Sequence, residues 1–84
     1  MRQVDFYFHN SCLSRQSIRL LAKDVEAVYP SWTVTVHPLT DQDIERLGFS
    51  VLPVVLINGQ TVATGMPSKE WLLRKVTESN QRDQ

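Results

Sequence analysis

Eighty-four residues provide for a single domain, residues 1–84, around one modest hydrophobic core and leave no room for a second module. Apolar and aromatic residues make up 42% of the chain and charged residues 21%, which is a soluble globular composition and not a disordered one. Nine Lys+Arg balance nine Asp+Glu, so the chain carries no global electrostatic footprint for nucleic acid or an anionic membrane. Arg2 and Asp5 interrupt the N-terminus, and no apolar run approaches the roughly 18 residues that a membrane span needs. A cytoplasmic monomer is therefore expected. Cys12 is the only cysteine, so no internal disulfide can form, and with only His9 and His37 beside it a structural zinc site lacks ligands. Any disulfide must join this sulfur to another molecule.

Val4, Phe6 and Phe8 alternate with Asp5 and Tyr7, which predicts a strand over residues 3–8. Ile18, Leu21, Ala22, Val25 and Val28 then recur at spacings of three and four, predicting an amphipathic helix that ends near Tyr29-Pro30. Asn10, Ser11 and Ser14 are each suited to cap its start. Residues 32–37 read as a second strand closed by Pro38, and residues 40–47 as a short helix with a Thr40/Asp43 capping box and a Gly48 stop. The nearly continuous apolar run over residues 51–57 predicts a central strand. Asn58-Gly59 turns it back into a return strand over residues 60–63. Ser68 caps a last helix with Trp71, Leu72 and Val76 on one face, and the polar residues 78–84 are expected to fray. The order is β-α-β-α-β-β-α: an α/β fold with a four-stranded mixed sheet and three flanking helices.

The stretch that carries chemistry is Phe8-His9-Asn10-Ser11-Cys12-Leu13-Ser14-Arg15, where the first strand gives way to a helix. First-turn N–H groups lack intrahelical acceptors and, with the helix dipole, favour negative charge. A cysteine placed there, with Arg15 one turn on, is expected to favour its reactive thiolate. The competing reading of Cys12 is a small buried apolar residue, and that of Arg15 a member of a solvated ridge with Arg19 and Lys23. His9 is read as the polar end of a strand, because extended residues three apart tend to point away from each other. His37 is given a structural or surface role. Ser14 is read as a cap or first-turn residue, since no base accompanies it. Trp32, Trp71 and Tyr29 are assigned to packing.

This order, with Cys12 at the first strand-to-helix junction and Pro53 opening the third strand, resembles the minimal thioredoxin fold shared by thioredoxins and glutaredoxins. The most specific match is Val51-Leu52-Pro53-Val54-Val55-Leu56-Ile57-Asn58-Gly59-Gln60, followed by Gly65-Met66-Pro67-Ser68-Lys69-Glu70. The resemblance implies that the bond before Pro53 is cis and that Leu52 and Pro53 border Cys12. It further implies that these two, with Ser11 and Leu13 beside the sulfur, form the substrate groove. Such proteins use no bound cofactor, so glutathione enters as a co-substrate, and the partners are protein thiols or disulfides or glutathione itself. Members that reduce disulfides carry Cys-x-x-Cys, whereas Cys12-Leu13-Ser14-Arg15 has Arg15 in the second position. A two-cysteine cycle releases product by attack of the second thiol, so here an external thiol would have to complete turnover.

Two other readings accompany monothiol exchange. Without a resolving cysteine, the chain can instead be a redox-inactive module that binds a protein through the same groove. Tyr7-Phe8-His9-Asn10 with Cys12, Ser14 and Arg15 is also similar to the start of the glutathione-dependent arsenate reductases, which implies an oxyanion site. The spacing from Cys12 to Ser14-Arg15 is one residue short of that pattern, and the chain has no room for the helical region that supplies further arginines there. The Cys-Gly-Phe-Ser loop of cluster-binding relatives is absent.

Overall fold

A computed structural model describes residues 2–82. The elements run β1 (Gln3–His9), α1 (Arg15–Val28), β2 (Thr33–Leu39), α2 (Asp41–Leu47), β3 (Val54–Ile57), β4 (Gln60–Thr64) and α3 (Lys69–Arg82). One mixed sheet in the order β2-β1-β3-β4 joins the strands, with β1 parallel to β2 and antiparallel to β3, and β3 antiparallel to β4. β1 is therefore bonded along both edges.

The alternation in β1 divides the sheet into two faces. Val4, Phe6 and Phe8 point to the side of α1 and α3, where they pack with Ile18, Leu21, Ala22, Val25, Val55, Ile57, Leu72 and Val76 in one core. Asp5, Tyr7 and His9 point to the side of α2. Asp5 is nonetheless buried there, accepting hydrogen bonds from Gln3 Nε2 at 2.7 Å and His37 Nε2 at 2.9 Å. The His37 ring stacks on Tyr7 at 4.3 Å between centroids, and Tyr7 in turn meets Phe49. A carboxylate without partners would be costly in that position. No helix among the described residues is long and apolar enough to cross a membrane.

Several bounds need correction, beginning with β1, which runs one residue beyond Phe8 to His9, and β2, which starts at Thr33, one residue after Trp32. β2 runs through Pro38 to Leu39 because it is an edge strand: Thr33 N–H and Leu39 C=O face β1, so Pro38 points its missing donor outward. β3 begins only at Val54, since Pro53 has no N–H to give, even though its carbonyl accepts from Gly65 N–H at 2.7 Å; Val51 is left exposed. β4 runs one residue beyond Ala63, to Thr64. α3 continues through residues 78–82 because Asn80 accepts from Trp32 Nε1 at 3.3 Å and Thr77 bonds the Tyr29 hydroxyl, tying the last turns to the core. Residues 83 and 84 lie outside the described part.

The local signals at the turns act as anticipated. Thr40 and Asp43 form a reciprocal capping box, Gly48 ends α2 in the left-handed region at φ 77°, and Asn58 and Gly59 make the hairpin at φ 53° and 82°. Ser68 Oγ accepts from Trp71 N–H at 3.2 Å. Phe6, 2% exposed at the centre of the core, gives the direct test of the packing. Phe6→Ala should lower unfolding stability by about 3–5 kcal/mol, read from urea midpoints at unchanged slope.

Candidate functional site around Cys12

β1 ends at His9, and five residues of turn separate it from α1. The turn is closed by Cys12 N–H donating to His9 C=O at 2.9 Å and Arg15 N–H donating to Cys12 C=O at 3.2 Å. Cys12 therefore stands just before the helix, in the turn that feeds it, and not in its first turn. It is half-buried and rests against the core, and among the described residues no hydrogen bond reaches its sulfur. Leu13, beside it, is fully exposed at 101%.

The end of α1 nearest the sulfur is electrically open. Ser14 holds the N-cap position without a side-chain hydrogen bond, and no acidic residue occupies the first turn. Among the described residues the N–H groups of Leu13, Ser14, Gln16 and Ser17 have no acceptor. Partial positive charge at this end is thus not neutralised from within the chain. Arg15 turns its guanidinium back on the loop, donating from Nη1 to Asn10 C=O at 3.2 Å. Ser11, Cys12, Leu13 and Arg15 come together, with Gln16, around one shallow depression. Leu52 and Pro53 do not line it.

Those two residues belong instead to the neighbouring strand end. Tyr7 pairs with Val54 across the antiparallel β1–β3 ladder, so Pro53 and Leu52 continue alongside Phe8 and His9, at the end of the sheet where Cys12 sits. The Leu52–Pro53 bond is cis. Among the described residues, neither Leu52 N–H nor Leu52 C=O makes a hydrogen bond. Three exposed apolar side chains, Leu13, Val51 and Met66, also lie in loops at this end, the last two flanking β3 and β4.

One part of the site was not legible in the sequence. His9 Nδ1 accepts from Ser11 N–H at 3.0 Å, which leaves Nε2 carrying the proton that is donated to Asp41 at 2.7 Å. The imidazole is thereby committed to the turn and has no nitrogen free to act as base toward Cys12. Asp41 is the first residue of α2, 32 positions away, and only the Thr40 cap signal anticipates its placement.

No family model and no curated protein matches this sequence. Among solved structures, the chain is similar to a selenoprotein W-related protein from Vibrio cholerae, with a TM-score of 0.73 and 17% identity over 92% of this chain and 94% of that one. The fold is thioredoxin-like. It is also similar to a thioredoxin from Plasmodium falciparum, with a TM-score of 0.61 and 15% identity over 90% of this chain and 79% of that one. At these identities the similarity is one of fold, and the assignment of roles to Cys12 and its neighbours rests on the residues themselves.

The hold of α2 on the turn is open to test. Hydrogen bonds with the Thr40 backbone N–H and then its side chain keep the Asp43 carboxyl below its ordinary value, against a smaller opposing effect of desolvation, and Arg46 lowers it least. A carboxyl lowered on folding adds stability above its unfolded value, and that stability is lost as pH falls through the folded one. Amide protection across α2 should accordingly fall on acidification below about pH 4, and Asp43→Asn should remove that pH dependence. Asp41→Ala should separately speed amide exchange at Ser11 and Cys12 without moving the core amides, as measured by NMR.

Proposed function

We propose that this thioredoxin-like protein performs monothiol thiol–disulfide exchange through Cys12, with an external thiol such as glutathione completing the cycle. The observation that carries this reading is the convergence at one end of the sheet of a lone, partly accessible thiol, an uncapped helix start and the unbonded backbone of Leu52. In the first step the Cys12 thiolate attacks one sulfur of a disulfide, a new Cys12–S–S bond forms and the other sulfur leaves as thiolate. An external thiolate then attacks the partner's sulfur in that bond, giving a disulfide between the external thiol and the partner and releasing the Cys12 thiolate. Cys12 is the nucleophile. The open N–H groups and Arg15 stand beside the sulfur, while Ser11 and Leu13 on one side and Leu52 and Pro53 on the other shape the surface that meets the partner.

Leu52, with its backbone N–H and C=O unbonded among the described residues, suits an extended partner chain, because a peptide can pair with those groups as an added strand. The exposed Leu13 supports a protein partner over glutathione alone, and it is also what a binding module without redox activity would present. A lone thiol stays available in a reducing compartment, which agrees with a cytoplasmic protein acting as a monomer.

Oxidised glutathione separates exchange from binding alone. The folded protein should gain one glutathionyl group, located on Cys12 by mass spectrometry and released by reduced glutathione, while Cys12→Ser gains none. Arg15→Ala should slow the modification by about two- to fivefold, the factor expected of one exposed charge. An adduct that forms only on the urea-unfolded chain would overturn the exchange reading and leave the binding module.

A further inference from the structure

A second surface lies away from Cys12, between α1 and the free edge of β2. Leu20, Ala22, Val34 and Val36 give it an apolar floor, and Arg19 and Lys23 border it in a groove of about 350 Å3, with Glu26 toward the end of the helix. Leu20 is 58% exposed although it sits on an otherwise amphipathic helix. Neither Arg19 nor Lys23 makes an ion pair among the described residues.

The hydrogen-bond parity of the sheet fixes what the edge offers. Thr33 N–H donates to Arg2 C=O and Leu39 C=O accepts from Asn10 N–H, so the odd-numbered residues of β2 face β1. The N–H and C=O groups of Val34 and Val36 therefore point outward, and Pro38 ends the run of donors. Their side chains share the α1 face with Val4 and Phe6, with which they are in register. Open backbone groups thus border the apolar floor and the two cations.

We infer that this edge binds an extended acidic peptide segment by strand addition, its backbone pairing with Val34 and Val36 and two acidic side chains lying over the groove toward Arg19 and Lys23. The spacing agrees. Same-face side chains on a strand recur about every 6.6 Å, and residues four apart on a helix are separated by about 6 Å along its axis. A segment of the form Glu-x-Glu matches both, with the glutamate methylenes resting on Leu20, Val34 and Val36. Its length is limited by Pro38. Glu26 sets the direction: an acidic side chain is accepted near Arg19 and Lys23 and repelled at the Glu26 end. A second copy of the chain is disfavoured, because edge-to-edge pairing about a twofold axis brings the same basic ridge from each partner to one face.

The probe is an end-blocked peptide, Thr-Glu-Val-Glu-Val-Thr, titrated into the isotope-labelled full chain and followed by amide NMR shifts. Shifts should centre on Val34, Val36 and the span of α1 between Arg19 and Lys23, and they should persist in Cys12→Ser, so that this result is independent of the thiol chemistry. The double variant Arg19→Glu/Lys23→Glu should bind about tenfold more weakly and should instead take the peptide in which both glutamates are replaced by lysine. Equal binding of a peptide with glutamine at both positions, shifts centred on Cys12 or Leu52, no shifts at millimolar peptide, or concentration-dependent self-association through β2 would each overturn the proposal.

Discussion

β1 is the strand on which the rest of the structure depends, because it is hydrogen-bonded along both edges and buried on its Val4-Phe6-Phe8 face. A strand held in this way has a fixed end, and Cys12 follows that end by three residues. The turn between them adds further restraint: Cys12 N–H binds the His9 carbonyl, Ser11 N–H binds the His9 ring and Asp41 anchors that ring. The sulfur's place is consequently set by central β structure and by α2, while the helix that follows contributes unpaired N–H groups. A thiol on a rigid support with a fully exposed apolar neighbour, Leu13, suits the proposed meeting with a protein partner.

The same strand explains the division of labour between the faces. On the α1/α3 side, packing is wholly apolar at its centre and supplies most of the stability. On the α2 side, the Asp5 carboxyl is buried and accepts hydrogen bonds from Gln3 and His37, with Tyr7 stacked over the imidazole. Removing one partner from such a cluster leaves the other desolvated, so these polar contacts specify register more than they add net stability. The register they favour is the one that puts Asn10 N–H against Leu39 C=O and brings β2 level with the site.

Much of this was legible in the sequence because the signals are local. The alternation in β1, the three-and-four spacing of Ile18 to Val25, the Thr40/Asp43 box and the Asn58-Gly59 turn each act over a few residues, and each lies in the element it predicts. The misreadings have a common origin in long-range contacts. Pro38 looked like a stop because the sequence does not reveal that β2 is an edge. Val51 and Leu52 looked like strand because apolarity marks both a buried strand and an exposed apolar surface. Residues 78–82 read as frayed because the contacts that hold this end, Trp32 with Asn80 and Tyr29 with Thr77, each span 48 positions. At the site, Cys12 and Pro53 could be picked out as residues, whereas the commitment of His9 to Asp41 and of Arg15 to Asn10 required the folded chain.

The central claim is that Leu52 and Cys12 serve one partner chain together. Its most direct test is the amide exchange rate of Leu52 when a cysteine-containing extended peptide is joined by a disulfide to Cys12. The account predicts that Leu52 N–H, unbonded in the free protein, becomes protected in the mixed disulfide while the core amides are unchanged. An equally rapid exchange of Leu52 in the free and the linked protein would contradict it.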